Sequence, residues 1–203
     1  LQTYQELPDP AAPSDKEWAA VTITQVSWGT TDVRYAKHGL PRLKNQQTVA
    51  LKGWRGERVN AQAVVWTGVE LKDLNFSFGD FKDKKGNVLP QDAFTGGFVR
   101  YVMTDELNKD GRGACGHRKA VDYDSLLVAD PIDTSLKAMA LPARTVQPVW
   151  VQCWIPQSAV PGTYKGELLI NDGSRLLQRL NLEITVSSRE LPAPSEWAYH
   201  LDL

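Results

Sequence analysis

The chain has 203 residues, 42% hydrophobic and 23% charged, an ordinary globular composition that fits one large domain or two small ones. Lys and Arg number 23 against 24 Asp and Glu, a net charge of -1, so no basic excess exists to neutralise nucleic-acid phosphates. No apolar run approaches the roughly 18–20 residues of a membrane span.

The chain opens Leu1-Gln2-Thr3-Tyr4, without an initiator Met, a basic stretch or an apolar stretch. It reads as a processed or trimmed product from which a signal peptide has been removed. Residues 1–19 form a Pro-rich strap, extended because Leu7-Pro8-Asp9-Pro10 cannot carry a ladder of hydrogen bonds. Ala20 to Trp28 alternates as a first strand, with a phase shift at Val26 and Trp28. Gln47 to Lys52 is a short strand and Gly53-Trp54-Arg55-Gly56 a turn. Glu57 to Thr67 follows with both faces partly covered. Leu71 to Phe81 reads as half-buried, with Leu74, Phe76 and Phe78 on one side.

Lys82 to Asn87 is a charged turn, and Gly96-Gly97 leads into a strand over Phe98 to Thr104. Asp105 to Asp124 is a long irregular region without a period. Ser125 to Met139 is mixed, and Pro131 argues against one long helix. Thr145 to Ile155 sets Val149, Val151 and Cys153 against Trp150, Gln152 and Trp154. Ala159-Val160-Pro161-Gly162 fits a type II turn. Thr163 to Ile170, Asn171-Asp172-Gly173-Ser174 and Arg175 to Ser187 form a hairpin, with Leu180, Leu182, Ile184 and Val186 inward.

Roughly eight to ten strands without a βαβ rhythm predict an all-β fold, a two-layer antiparallel β-sandwich of immunoglobulin or jelly-roll type over residues 20–190. Residues 191–203 read as a linker, Leu191-Pro192-Ala193-Pro194-Ser195, followed by the start of a further domain. Trp197, Tyr199 and His200 in that start are candidate domain-interface residues.

Few constellations suggest chemistry. Gly111-Arg112-Gly113-Ala114-Cys115-Gly116 spells GxGxxG but has no strand before it and no helix after it, so no nucleotide site is expected. Cys115 and His117 lack two further ligands at metal spacing, so no metal or other cofactor is expected. Asp105, Glu106, Asp122, Asp124, Asp130 and Asp133 read as loop acids rather than a spaced catalytic pair. No Ser sits in a nucleophile elbow. Cys115 and Cys153 allow one disulfide; the alternative is two thiols, and a core of this size needs no staple. Seven Trp is a high count. Trp28, Trp66, Trp150 and Trp154 fall in strand patterns as packing residues. Trp54 and Arg55 are the surface candidates for a sugar contact, with His117 and Arg118 of the long loop.

Three ordered stretches carry a resemblance. They are Gly53-Trp54-Arg55-Gly56-Glu57-Arg58-Val59-Asn60-Ala61-Gln62, then Pro148-Val149-Trp150-Val151 through Pro161-Gly162-Thr163-Tyr164-Lys165-Gly166, then Leu191-Pro192-Ala193-Pro194-Ser195-Glu196-Trp197 with His200-Leu201-Asp202-Leu203. Gly113 to Arg118, Leu126-Leu127 and Ile132-Asp133 fit with them. Over roughly residues 50–203 the set resembles the N-terminal β-sandwich domain of bacterial proteins similar to glycoside hydrolase family 123.

The resemblance implies a non-catalytic accessory domain preceding a TIM-barrel-like catalytic domain. The family's activity is exo-β-N-acetylgalactosaminidase, with an adjacent Asp-Glu pair in the barrel that Asp105-Glu106 does not represent. The expected partner is thus the C-terminal catalytic domain of the same chain, in a monomeric secreted, periplasmic or cell-surface protein. A carbohydrate-binding module with its own glycan site is the alternative, and a structural or adhesion sandwich a further one.

Overall fold

The structure, a computed structural model, describes residues 6–7, 12–104, 126–192 and 194–196. Twelve strands follow in chain order: β1 Thr24–Gly29, β2 Thr48–Arg55, β3 Arg58–Thr67, β4 Leu71–Phe78, β5 Phe81–Lys82, β6 Val88–Leu89, β7 Phe94–Thr104, β8 Leu126–Asp133, β9 Ala138–Leu141, β10 Thr145–Trp154, β11 Gly162–Asp172 and β12 Arg175–Glu190. They make two layers. One sheet has the order β1-β3-β10-β7-β8; the other is β2-β12-β11-β4-β9, with β5 pairing β11 and β6 beside it. The all-β sandwich expected from the turn spacing is the fold observed.

Alternation explains the core. Val59, Ala61, Ala63 and Val65 of β3 and Val149, Val151 and Cys153 of β10 point between the layers, where they meet Leu168 and Ile170 of β11 and Leu180, Leu182 and Ile184 of β12. Trp28 crosses the interior, 1% exposed, and its indole Nε1 donates to the carbonyl of Asn181 at 2.9 Å. β3 is also buried on its reverse side. There Val64 and Trp66 pack with Val146, Trp18, Val21 and Tyr35, and Gln62 Nε2 donates to the carbonyls of Thr30 at 2.7 Å and Val33 at 3.2 Å. Both faces of β3 are therefore covered, which is why the strand is buried at nearly every position, Gln62 and Thr67 included.

Three expectations of this fold need correction. The strap is not extended throughout: Asp15–Trp18 forms a one-turn helix, α1, capped by Ser14 Oγ accepting from the Glu17 amide at 3.4 Å. Strand pairing is not purely antiparallel, because β2 runs parallel to β12. As Pro131 implied, the described residues between Ser125 and Met139 form no long helix; they hold β8 and the first two residues of β9. No type II turn lies over 159–162. The turn falls earlier, with the Ala159 amide donating to the Pro156 carbonyl at 3.0 Å, and Gly162 lies outside the left-handed region and begins β11.

The β11–β12 hairpin is as expected, closing at Gly173, whose φ of 60° suits a residue without a Cβ. The GxGxxG stretch, Asp105, Glu106, Cys115, His117, Arg118, Asp122 and Asp124 lie outside the described residues. So do Trp197, Tyr199 and His200.

Candidate functional site

Two exposed indoles of the sandwich lie where β2 hands over to β3. Trp54 and Arg55, expected in a turn, are the last residues of β2. The turn is Gly56, with φ of 84°, and it carries the chain from one sheet to the other. The corner is tightly bonded. The Gly56 amide donates to the Ile155 carbonyl at 2.8 Å, and the Ile155 amide returns a bond to the Glu57 carbonyl at 2.9 Å. The Glu57 carboxylate accepts from the Trp54 amide at 2.7 Å.

Trp154 joins the same corner, its Nε1 donating to the Gly56 carbonyl at 3.1 Å. Trp154 is 55% exposed and Trp54 37%, so Trp154 is not the packing residue expected of it. The alternation explains this, because Cys153 beside it points into the core and Trp154 must point out. Trp28 and Trp66 are buried as expected, and Trp150 packs against Val99, Tyr101, Leu127 and Ala129.

Each exposed ring carries a cation. The Arg58 guanidinium lies 4.6 Å from the Trp154 ring centroid, and that of Arg189 lies 5.4 Å from Trp54. Neither arginine has a carboxylate partner among the described residues. Arg55 is different. Its guanidinium donates to the carbonyls of Gln157 at 3.1 Å and Ser188 at 3.4 Å and pairs with Glu190 at 3.1 Å, so it clamps β2 against the end of β12. The Leu191 amide then donates to the Arg55 carbonyl at 2.8 Å, so the chain leaves the sandwich at this corner.

The acids elsewhere hold structure. Burial alone would raise the Glu6 pKa. Hydrogen bonds from Arg100 and Lys37, the Lys37 charge and the Tyr101 amide outweigh it and hold the carboxyl below its ordinary value. Asp133 is held low by the Ser135 hydroxyl and the amides of Ser135 and Leu136, together with Arg100. Asp83 is held low by Asn87 and the Lys85 amide, and Asp172 by the amides of Asp73 and Lys72 with Arg175. A general acid in glycoside hydrolysis needs the opposite shift. Asp130 makes an exposed pair with Arg34 at 3.4 Å. Among the described residues no group of three His, Cys, Asp or Glu is placed to hold a metal ion, and no helix is long and apolar enough to cross a membrane.

Cys153 is a free thiol in the core, 1% exposed, and burial pushes its pKa up to about 12. The thiolate is the reactive form. Ellman's reagent at pH 8 is therefore expected to leave Cys153 untouched in the native chain and to titrate it on unfolding. Rapid native reaction would show that β10 opens to solvent. No thiol signal even after unfolding would reveal a Cys115–Cys153 bridge.

The profile of the glycoside hydrolase 123 N-terminal domain matches residues 28–172. Among solved structures the chain is similar to a family 123 glycoside hydrolase from Clostridium perfringens studied for glycolipid glycan hydrolysis. The TM-score is 0.70 at 19% identity, covering 86% of this chain and 29% of that one. It is also matched to a PapD-like domain of human CEP192, with TM-score 0.42, 12% identity, and coverage of 94% and 99%. No curated protein matches the chain.

Proposed function

Because the chain belongs to the glycoside hydrolase 123 N-terminal domain family, we propose that it is a non-catalytic accessory β-sandwich of a longer, secreted glycoside hydrolase of β-N-acetylgalactosaminidase type. It packs on the catalytic barrel and supports it. The profile match over residues 28–172 carries this reading. Two further facts support it. The chain spans 29% of the length of the Clostridium perfringens hydrolase, and it leaves its last strand at an aromatic, cationic corner with two exposed indoles.

In this reading residues 20–190 are the sandwich and 191–203 the linker and entry to the barrel. Trp197, Tyr199 and His200 then meet the interface from the linker side. The catalytic carboxylates belong to the barrel.

The test uses the full-length protein and an aryl β-N-acetylgalactosaminide. Asp105→Asn with Glu106→Gln is expected to leave kcat within about twofold, because in this reading the reacting carboxylates are those of the barrel. A loss of about a hundredfold or more would place catalysis in the sandwich and overturn the proposal.

A further inference from the structure

Several charges of the described surface have a partner of opposite sign. On the second sheet Lys165 pairs with Glu183 at 2.5 Å, and Arg179 with Glu167 at 2.8 Å. At the end of the first sheet remote from Trp154, Arg144 pairs with Asp15. The acids Asp80 and Glu6 likewise have their lysine and arginine partners. Only at the β2–β3 corner do two cations lie on two exposed indoles, both without a carboxylate among the described residues. A stacked guanidinium keeps its edge donors free, and those donors fit the two oxygens of a carboxylate.

The corner is also where the chain departs. Leu191 is bonded to Arg55, and a Cβ on Gly56 would sit 3.5 Å from Leu191, so the exit is packed on the turn itself. A short helical turn over Pro194–Glu196 follows at once. Whatever follows in the chain is thereby tethered beside Trp54 and Trp154. Tethering raises the effective concentration for this corner far above that for any other face.

We infer that the Trp54–Trp154 corner is the docking surface for the domain that follows it in the chain, and that the surface received there sets carboxylates among apolar side chains. The inference rests on the accessory-domain reading above and names the contact through which that reading works. Trp and Arg are the residues that anchor interfaces: the indoles bury apolar area, and the guanidinium groups find their missing anions. The exposure of Trp154 and the lack of carboxylates at Arg58 and Arg189 are then features of the sandwich taken alone.

The experiment is hydroxyl-radical footprinting of the full-length protein, read residue by residue by mass spectrometry. Trp54 and Trp154 are expected to oxidise about tenfold more slowly than in the urea-unfolded chain. Arg58→Glu with Arg189→Glu sets like charges against the facing carboxylates and is expected to raise both oxidation rates, and protease cleavage at 191–196, by about fivefold or more. Lys16→Glu, at the far end, leaves both unchanged. Oxidation of the unsubstituted protein at the unfolded rate would overturn the inference without any variant having to fold. Protection arising only when an N-acetylgalactosamine oligosaccharide is added would overturn it in favour of a glycan site. The two readings fail separately. A wrong docking surface leaves the Asp105-Glu106 result as expected, whereas a wrong accessory role shows as lost hydrolysis in that assay.

Discussion

Trp28→Ala is expected to destabilise the protein by about 3–5 kcal/mol, the upper range for truncating a single core side chain. Trp28 lies on β1 in one layer, yet its indole bonds to Asn181 on β12 of the other, at 2.9 Å and 1% exposure. Alanine removes the ring from between the sheets, leaves a cavity that neighbouring strands cannot close, and takes the indole donor from the Asn181 carbonyl. In a chain of 203 residues a loss of this size lowers Tm by about 6–20 °C. Trp28→Phe keeps most of the ring and loses the donor, so a decrease of about 1–2 kcal/mol is expected. Urea unfolding followed by far-ultraviolet circular dichroism checks both. Equal effects for the two variants would mean that the hydrogen bond, and not the filled volume, is what matters at this position.

The second large effect is at Glu6. Its carboxylate accepts from Lys37 Nζ at 2.8 Å, Arg100 Nε at 2.8 Å and the Tyr101 amide at 3.2 Å, with its side chain only 12% exposed. Removing it leaves two cations and an amide half out of water with reduced compensation, so Glu6→Ala is expected to cost about 2–3 kcal/mol. The pH dependence follows from the direction of the shift. The folded pKa lies below the ordinary value of 4.5, so ionised Glu6 stabilises the fold at pH above the unfolded pKa. That contribution is lost as pH falls from about 4.5 through the folded pKa. Stability measured from pH 7 down to pH 3 should therefore decline less steeply for Glu6→Ala than for the parent, with the two curves converging in acid. Parallel curves would show that Glu6 does not titrate with folding.

The strand pattern is written plainly in the residues. Leu180, Leu182, Ile184 and Val186 alternate without a break, and all four are buried. The same period places Trp154 outward next to Cys153. The information is present there, but the general tendency of Trp to pack obscures it. The helix α1 also leaves a trace, since Ser14 and Glu17 have the spacing of a capping box. Four residues are too few to show a period, and the prolines before them dominate the local signal.

The parallel pairing of β2 with β12 leaves none. Its register joins Thr48 to Asn181 and Gly53 to Val186 across most of the chain, and local alternation carries no information about distant partners. Glu6 is hidden for the same reason, because its partners come from Lys37 and Arg100, far along the sequence. Trp54 and Arg55 read as surface residues from their neighbours alone. Nothing local shows that Arg58, Trp154 and Arg189 converge on them.

That long-range pairing has a consequence for biosynthesis. During translation Thr48–Arg55 emerges from the ribosome well before Asn181–Glu190, which alone supplies its ladder partners in the second sheet. Until then the nascent protein carries an unzipped margin, open to pairing with other polypeptides, and Trp28 lacks the Asn181 carbonyl. A messenger truncated ahead of the Asn181 codon would yield an aggregating product, whereas a nascent chain extruded past Leu191 holds all the described strands.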